Sequence, residues 1–90
     1  QREREILRQT VTGYLATRCS LSFEPNAIRR AIVARQLIDF EIDETDIADA
    51  LTFCEGLGYV KKLTAEMGAT VYWQSTSGGV LAAERNGWNV

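Results

Sequence analysis

The stretch DETDIADALTFCEGLGYVKKLTAEMGATVYWQSTSGG, residues 43–79, decides the fold. Ile47, Ala50, Leu51, Cys54 and Leu57 recur at helical spacing and make the buried stripe of an amphipathic helix. Asp43 stands where an N-cap belongs, and Ile42 with Ile47 has the spacing of a hydrophobic staple. Gly56 and Gly58 end the helix, because glycine takes left-handed backbone angles without steric cost. YVKKL and ATVYW are β-branched and aromatic enough to be strands. Residues 64–68 between them suit a hairpin loop, with Gly68 at the position needing positive φ. Thr76 or Ser77 then caps a last helix, GGVLAAER, which Asn86 and Gly87 stop.

Toward the N-terminus, Leu7, Val11, Leu15 and Cys19 recur at i+4 with Tyr14 beside them, so residues 3–18 read as a helix. Its other face carries Arg4, Arg8 and Arg18. Residues 20–23 break it. Pro25 fits the first turn of a second helix, where its missing N–H costs nothing, and Glu24 is the expected cap. That helix, residues 25–37, buries Ala27, Ile28, Ala31 and Ile32. FEID, residues 40–43, alternates apolar and acidic as a short extended connector should. The expectation is a mainly helical α+β chain in the order helix-helix-helix-strand-strand-helix. It forms a single domain over 1–90, with a third helix at 43–56, a hairpin at 59–74 and a terminal helix at 77–85.

The whole chain has 90 residues, 46% of them apolar and 24% charged, the balance of a globular protein rather than a disordered one. No run approaches the roughly 18 apolar residues of a membrane span, and no signal-peptide pattern opens the sequence, so a cytoplasmic location is expected. Net charge is −2, but residues 39–55 hold seven acids and no base, while the other segments carry all ten bases and five acids. The molecule should be electrically two-sided.

Histidine is absent, which removes the commonest general base and the commonest transition-metal ligand. Cys19 and Cys54 both fall on predicted apolar faces and read as small buried hydrophobes; a disulfide, a metal pair or a nucleophile is the alternative. No base is placed to activate a Ser, Thr or Cys, and no paired carboxylates mark a pocket. No enzyme, no cofactor and no metal is expected. Ser77, Gly78 and Gly79 serve either close packing or an anion nest. Trp73 belongs to the core. Trp88, with little chain after it, folds back on the domain or packs against another subunit.

DIADALTFCEGLGYV and VYWQSTSGGVLAAER resemble the third helix, first wing strand, return strand and T-x-x-G helix start of a winged-helix domain of the MarR/ArsR/PadR-like kind. Small winged-helix proteins of this build also occur among bacteriophage genes. The resemblance covers residues 3–85 and implies a DNA-binding transcription regulator. In such a domain the third helix enters the major groove and the wing approaches the minor groove or phosphates. Carried to this sequence, Thr45, Asp46, Asp49 and Thr52 would face the bases. Arg29, Arg30, Lys61 and Lys62 would hold phosphates, and the wing tip would be Thr64, Ala65, Glu66 and Met67. Regulators of this build commonly dimerise through flanking helices, which here implies a homodimer through the first helix and the Trp88 tail.

The sequence departs from that pattern where it matters. Lys and Arg supply most non-specific affinity for DNA, and neither the third helix nor the wing tip has any. Asp43, Glu44 and Asp46 have a local use, because carboxylates in a first turn meet free N–H groups and the positive end of the helix dipole. Asp49 and Glu55 lie beyond that reach. Three uses of the acidic face follow: a solvated surface, base readout, or an interface for a basic protein. The last makes the chain a protein-interaction adaptor that binds no DNA. The arginines of the first helix, interleaved with Glu3 and Glu5, serve local ion pairing or a phosphate-tracking face.

Overall fold

The computed structural model describes residues 2–64 and 70–88. The elements are α1 (Arg2–Thr17), α2 (Pro25–Ala34), α3 (Glu44–Gly56), β1 (Val60–Thr64), β2 (Val71–Ser75) and α4 (Ser77–Asn86). This is the expected order, a mainly helical α+β winged-helix arrangement. β1 and β2 pair antiparallel from Val60↔Ser75 to Thr64↔Val71. The chain between α1 and α2 adds an isolated bridge, Phe23↔Trp73, with backbone bonds of 2.9 and 2.7 Å in both directions. Residues 65–69, with the wing-tip Ala65, Glu66 and Met67 and the turn position Gly68, lie outside the described residues.

The core is built from Leu7, Val11, Tyr14 and Leu15 of α1, Ile28 and Ile32 of α2, the Ile47–Ala50–Leu51–Cys54 stripe of α3, and Val60 and Trp73 of the hairpin. Each large aliphatic side chain buried there contributes about 1.5–3 kcal/mol. α1 is enclosed on several sides, since α3 and α4 both pack on it. Even Thr10 and Thr12 are buried, and their hydroxyls donate back to the carbonyls of Ile6 and Arg8, each at 2.8 Å. Among the described residues no helix is long and apolar enough to cross a membrane.

Two helices end in the same way. At the end of α3, Gly58 takes φ +81°, Gly58 N–H donates to Glu55 O and Tyr59 N–H to Cys54 O, both at 3.0 Å. At the end of α2 the equivalent bonds run from Gln36 to Val33 and from Leu37 to Ile32, both at 3.1 Å. These pairs make the Schellman arrangement, which needs a left-handed residue after the cap. In α2 that residue is Gln36, at φ +53°. α2 therefore stops at Ala34, not near Leu37, and Leu37 turns back to pack on the core.

Two other expectations are corrected. Cys19 is exposed, because α1 stops at Thr17 and a turn from Arg18 to Leu15 carries the chain off the apolar stripe. Glu24 occupies the N-cap of α2, but its side chain makes no capping bond. Ser77–Gly79 settles as close packing. A Cβ on Gly79 would overlap the Tyr59 carbonyl, and one on Gly78 would stand 3.1 Å from Gly58 O. The Thr76 hydroxyl joins the two segments, donating to Gly58 O and accepting from Gly79 N–H.

Candidate nucleic-acid interface

Four carboxylates of the α3 segment divide between the helix start and the α1–α3 seam. Asp43 and Asp46 form a reciprocal capping box. Asp46 N–H donates to Asp43 Oδ1 at 2.8 Å, and Asp43 N–H donates to Asp46 Oδ2 at 3.1 Å. Glu44 sits with them in the first turn, where negative charge meets the helix dipole. Asp46 is thus held by its own helix end, and the box leaves only part of its acceptor capacity for a partner. Asp49 has no such duty. Together with Asp46 and Thr52 it lines a groove opposite Arg4, Leu7 and Arg8 of α1, with a cavity volume of about 400 Å³.

The sequence-derived base-facing set is therefore divided. Thr45, Asp46, Asp49 and Thr52 are all exposed, yet three of them border the α1–α3 groove while Thr45 lies outside it. The Thr52 hydroxyl donates to Ala48 O at 2.9 Å, which leaves its lone pairs free to accept. The positive set is also divided. Arg30 is exposed, whereas Arg29 is half-buried and donates through Nε and Nη2 to Asn26 Oδ1 at 3.2 and 3.0 Å. Lys61 and Lys62 are both exposed on β1, but neighbouring strand residues point to opposite faces. Lys62 pairs with Trp73, and its ammonium is 5.9 Å from that ring's centroid. Lys61 pairs with Gln74 on the other face.

Contacts that sequence reading missed involve arginine on aromatic rings. The Arg8 guanidinium lies over Phe53 at 3.5 Å from the ring centroid. Arg18 and Arg35 approach the Tyr14 ring at 4.2 and 5.9 Å, and Tyr14 in turn packs on Phe23 at 5.5 Å. Arg18 stands four residues after Tyr14 at helical spacing, whereas no periodicity marks the Arg8–Phe53 and Arg35–Tyr14 pairs, whose members come from different parts of the chain.

Trp88 folds back on its own domain. Its ring meets Tyr59 edge-on at 6.3 Å, its N–H donates to Ala83 O at 2.9 Å, and its backbone lies so close to α1 that a Cβ on Gly13 would overlap the Trp88 carbonyl. Cys54 is buried, with its Sγ 3.3 Å from Thr12 Oγ1. Burial pushes its thiol pKa up, against the smaller opposing effects of the Thr12 bond and the Arg8 charge. A buried neutral thiol is a packing group, not a nucleophile. Among the described residues no cluster of His, Cys, Asp or Glu could hold a metal ion.

No protein-family model matches this sequence, and no curated protein matches it. Solved structures do share the fold. A transcriptional regulator from Clostridium thermocellum, Cth-833, superposes with a TM-score of 0.75 at 19% identity, over 92% of this chain and 78% of that one. A variant of ZitR from Lactococcus lactis superposes with a TM-score of 0.63 at 16% identity, over 87% of this chain and 49% of ZitR. At these identities the likeness establishes the winged-helix fold.

Proposed function

We propose that this chain is a non-catalytic, DNA-binding winged-helix module of the transcription-regulator type, acting in the cytoplasm as a single domain, with a build also found among bacteriophage proteins. The observation that carries the reading is the fold, similar over 92% of this chain to that of a transcriptional regulator at a TM-score of 0.75. Arg30, Lys61 and Lys62 are exposed cations for phosphates, the two lysines on opposite faces of β1, with Arg29 available if it leaves Asn26. Thr45, Asp49 and Thr52 are the α3 side chains for base edges, and Asp46 serves mainly the cap. An Asp can accept from cytosine N4. The test is duplex titration across a salt series. Binding should weaken steeply as salt rises from about 50 mM, because phosphate contacts release counterions. Absence of any complex with genomic duplex at that lowest salt sinks the reading.

The second reading is the protein-interaction adaptor, and one observation favours it: residues 39–55 carry seven acids and no base. Phosphates repel such a surface, whereas a basic protein does not. The regulator reading also carries a homodimer through α1 and the tail. With Trp88 packed on Tyr59 of its own domain, the surface such a dimer would use is α1.

A further inference from the structure

Three depressions lie in series along the seam of α1 and α3 as a furrow, with the Arg8–Phe53 stack standing between the second and the third. The first, floored by Phe40 and Ile42, shares Arg4, Leu7 and Asp46 with the second. The second shares Arg8 and Phe53 with the third, which Leu57, Tyr59 and Trp88 complete. Along α1 the furrow runs from Glu3 to Thr12, about 14 Å at 1.5 Å per residue. Phe53 and Leu57 stand one turn apart on α3 and are 43% and 53% exposed. With Tyr59 and Trp88 they leave an exposed apolar surface, the kind of groove floor on which an amphipathic helix lays its apolar face.

The charge along the furrow is one-sided beside its first two depressions, while the third, with Phe53, Leu57 and Trp88, sets Glu5 against Arg8. Among the described residues the rims carry five carboxylates (Glu3, Glu5, Glu41, Asp46 and Asp49) against the guanidiniums of Arg4 and Arg8. Arg8 is moreover drawn over the Phe53 ring. A duplex is a poor occupant, since a phosphate backbone meets both an acidic rim and an apolar floor. A second copy across a two-fold axis is also disfavoured, because an isologous interface sets this acidic furrow against itself.

We propose that the α1–α3 furrow is a docking groove for an amphipathic helix of another protein, with apolar residues at i, i+3 or i+4 and i+7 and with Lys or Arg on its flanks. The apolar stripe would cover Phe53, Leu57 and Trp88, and the basic flanks would neutralise the carboxylate rims. The inference rests on the adaptor reading and makes its partner specific; Asp49 and Thr52 border the furrow as well as belonging to the base-facing set, so helix and duplex would compete for this face.

The test uses fluorescence anisotropy with a labelled Leu/Lys peptide of about sixteen residues, long enough to sustain a helix, with Leu at the stated spacing. Two controls accompany it: the same composition shuffled to destroy the spacing, and a Leu/Glu version. The patterned basic peptide should bind with a Kd of roughly micromolar order, and both controls at least about tenfold more weakly, since pattern and charge are each required. Leu57→Ser should weaken the patterned peptide about tenfold, as loss of a central anchor does. Its melting curve should match the parent because Leu57 is exposed; Phe53→Ser serves as a second variant should that one melt early. Arg30→Ala, which touches the DNA reading alone, should change nothing. The proposal is overturned if the patterned peptide fails to bind, if the shuffled peptide binds equally, or if neither folded furrow variant weakens binding. A stable dimer at assay concentration that closes the furrow to peptide would also overturn it, giving the surface to a second copy.

Discussion

The guanidinium carbon of Arg8 lies 3.5 Å from the centre of the Phe53 ring, joining α1 to α3 across the mouth of a furrow. Phe53 is 43% exposed, so the contact is a partly solvated cation–π pair, worth about 0.5–1 kcal/mol. A double-mutant cycle with Arg8→Ala and Phe53→Leu isolates that energy. Urea titrations of the four proteins should return a coupling of about this size, favourable in sign. Strict additivity would mean that the stacked geometry is not held in solution.

Gln36 is a left-handed residue with a side chain, at φ +53°, in the motif where α3 uses Gly58. A Cβ in this region costs roughly 1 kcal/mol. Gln36→Gly should therefore raise stability by about 0.5–1 kcal/mol, partly offset by the greater freedom of glycine in the unfolded chain. A loss of stability in denaturant melts would show that the Gln36 side chain contributes something the backbone geometry does not reveal.

These two sites mark what the sequence could and could not convey. The cap at Asp43, the α3 stripe from Ile47 to Cys54 and the glycine stop at Gly58 are local signals that sit where the pattern put them. Leu57, expected in the buried stripe, is instead exposed because the helix ends at Gly56. The end of α2 was misread because Gln36 gives no sign of a positive φ, while apolar Leu37 continues the helical pattern. Cys19 was misplaced by extending the α1 stripe one turn beyond its actual end. The furrow was illegible for a stronger reason: Arg8 and Phe53 are far apart in the chain, and only the packing of α1 on α3 brings them together. The acidic face was legible as composition, and the three-residue spacing of Asp43 and Asp46 is that of a capping box, a signal that the base-facing assignment of Asp46 passed over.

Gly13 holds the tail against α1. A methyl group there would overlap the Trp88 carbonyl, and a backbone atom yields less readily than a flexible side chain. Gly13→Ala should destabilise by about 1–3 kcal/mol, the usual range for overpacking. Gly56→Ala is the internal control. Nothing lies within 4 Å of its added carbon, so it should be neutral or stabilising by up to about 1 kcal/mol. Equal effects of the two substitutions in thermal melts would mean that Trp88 does not rest on α1.

Burial of Cys54 raises its thiol pKa above the ordinary 9.0, and this has a signed consequence. In the unfolded chain the thiol loses its proton first, so above that pH the unfolded state holds fewer protons than the native one, and stability falls. The contribution is complete below about pH 9 and is lost progressively as pH rises toward the folded pKa. Cys54→Ala should remove that alkaline component, seen as a shallower fall between about pH 8 and 10 than in the parent. An identical slope in both proteins would show that other groups carry the whole effect. At neutral pH a thiol reagent should modify exposed Cys19 at once and reach Cys54 only on unfolding.

Asp46 and Asp49 separate the structural from the functional use of the acidic helix. Asp46→Asn keeps an oxygen able to accept from Asp43 N–H but loses its charge, so it should cost a few tenths to about 1 kcal/mol. Asp49 lies beyond the capping box, and Asp49→Asn should leave stability nearly unchanged. Its effect on DNA is the informative one. If α3 approaches a duplex, the Asp49 carboxylate is repelled by phosphates at every sequence and is useful only opposite a cytosine. Removing one charge should then raise non-specific affinity by roughly two- to fivefold at low salt, the worth of a single partly screened interaction, and should blunt any sequence preference. The rise should shrink as salt increases. Matched titrations of parent and variant on random-sequence duplex measure it, with Arg30→Ala as the opposing control, expected to weaken binding uniformly. An Asp49→Asn protein that binds duplex no differently from its parent would place this face of α3 away from DNA. The carboxylates would then be left to the furrow and the basic helix it is proposed to hold.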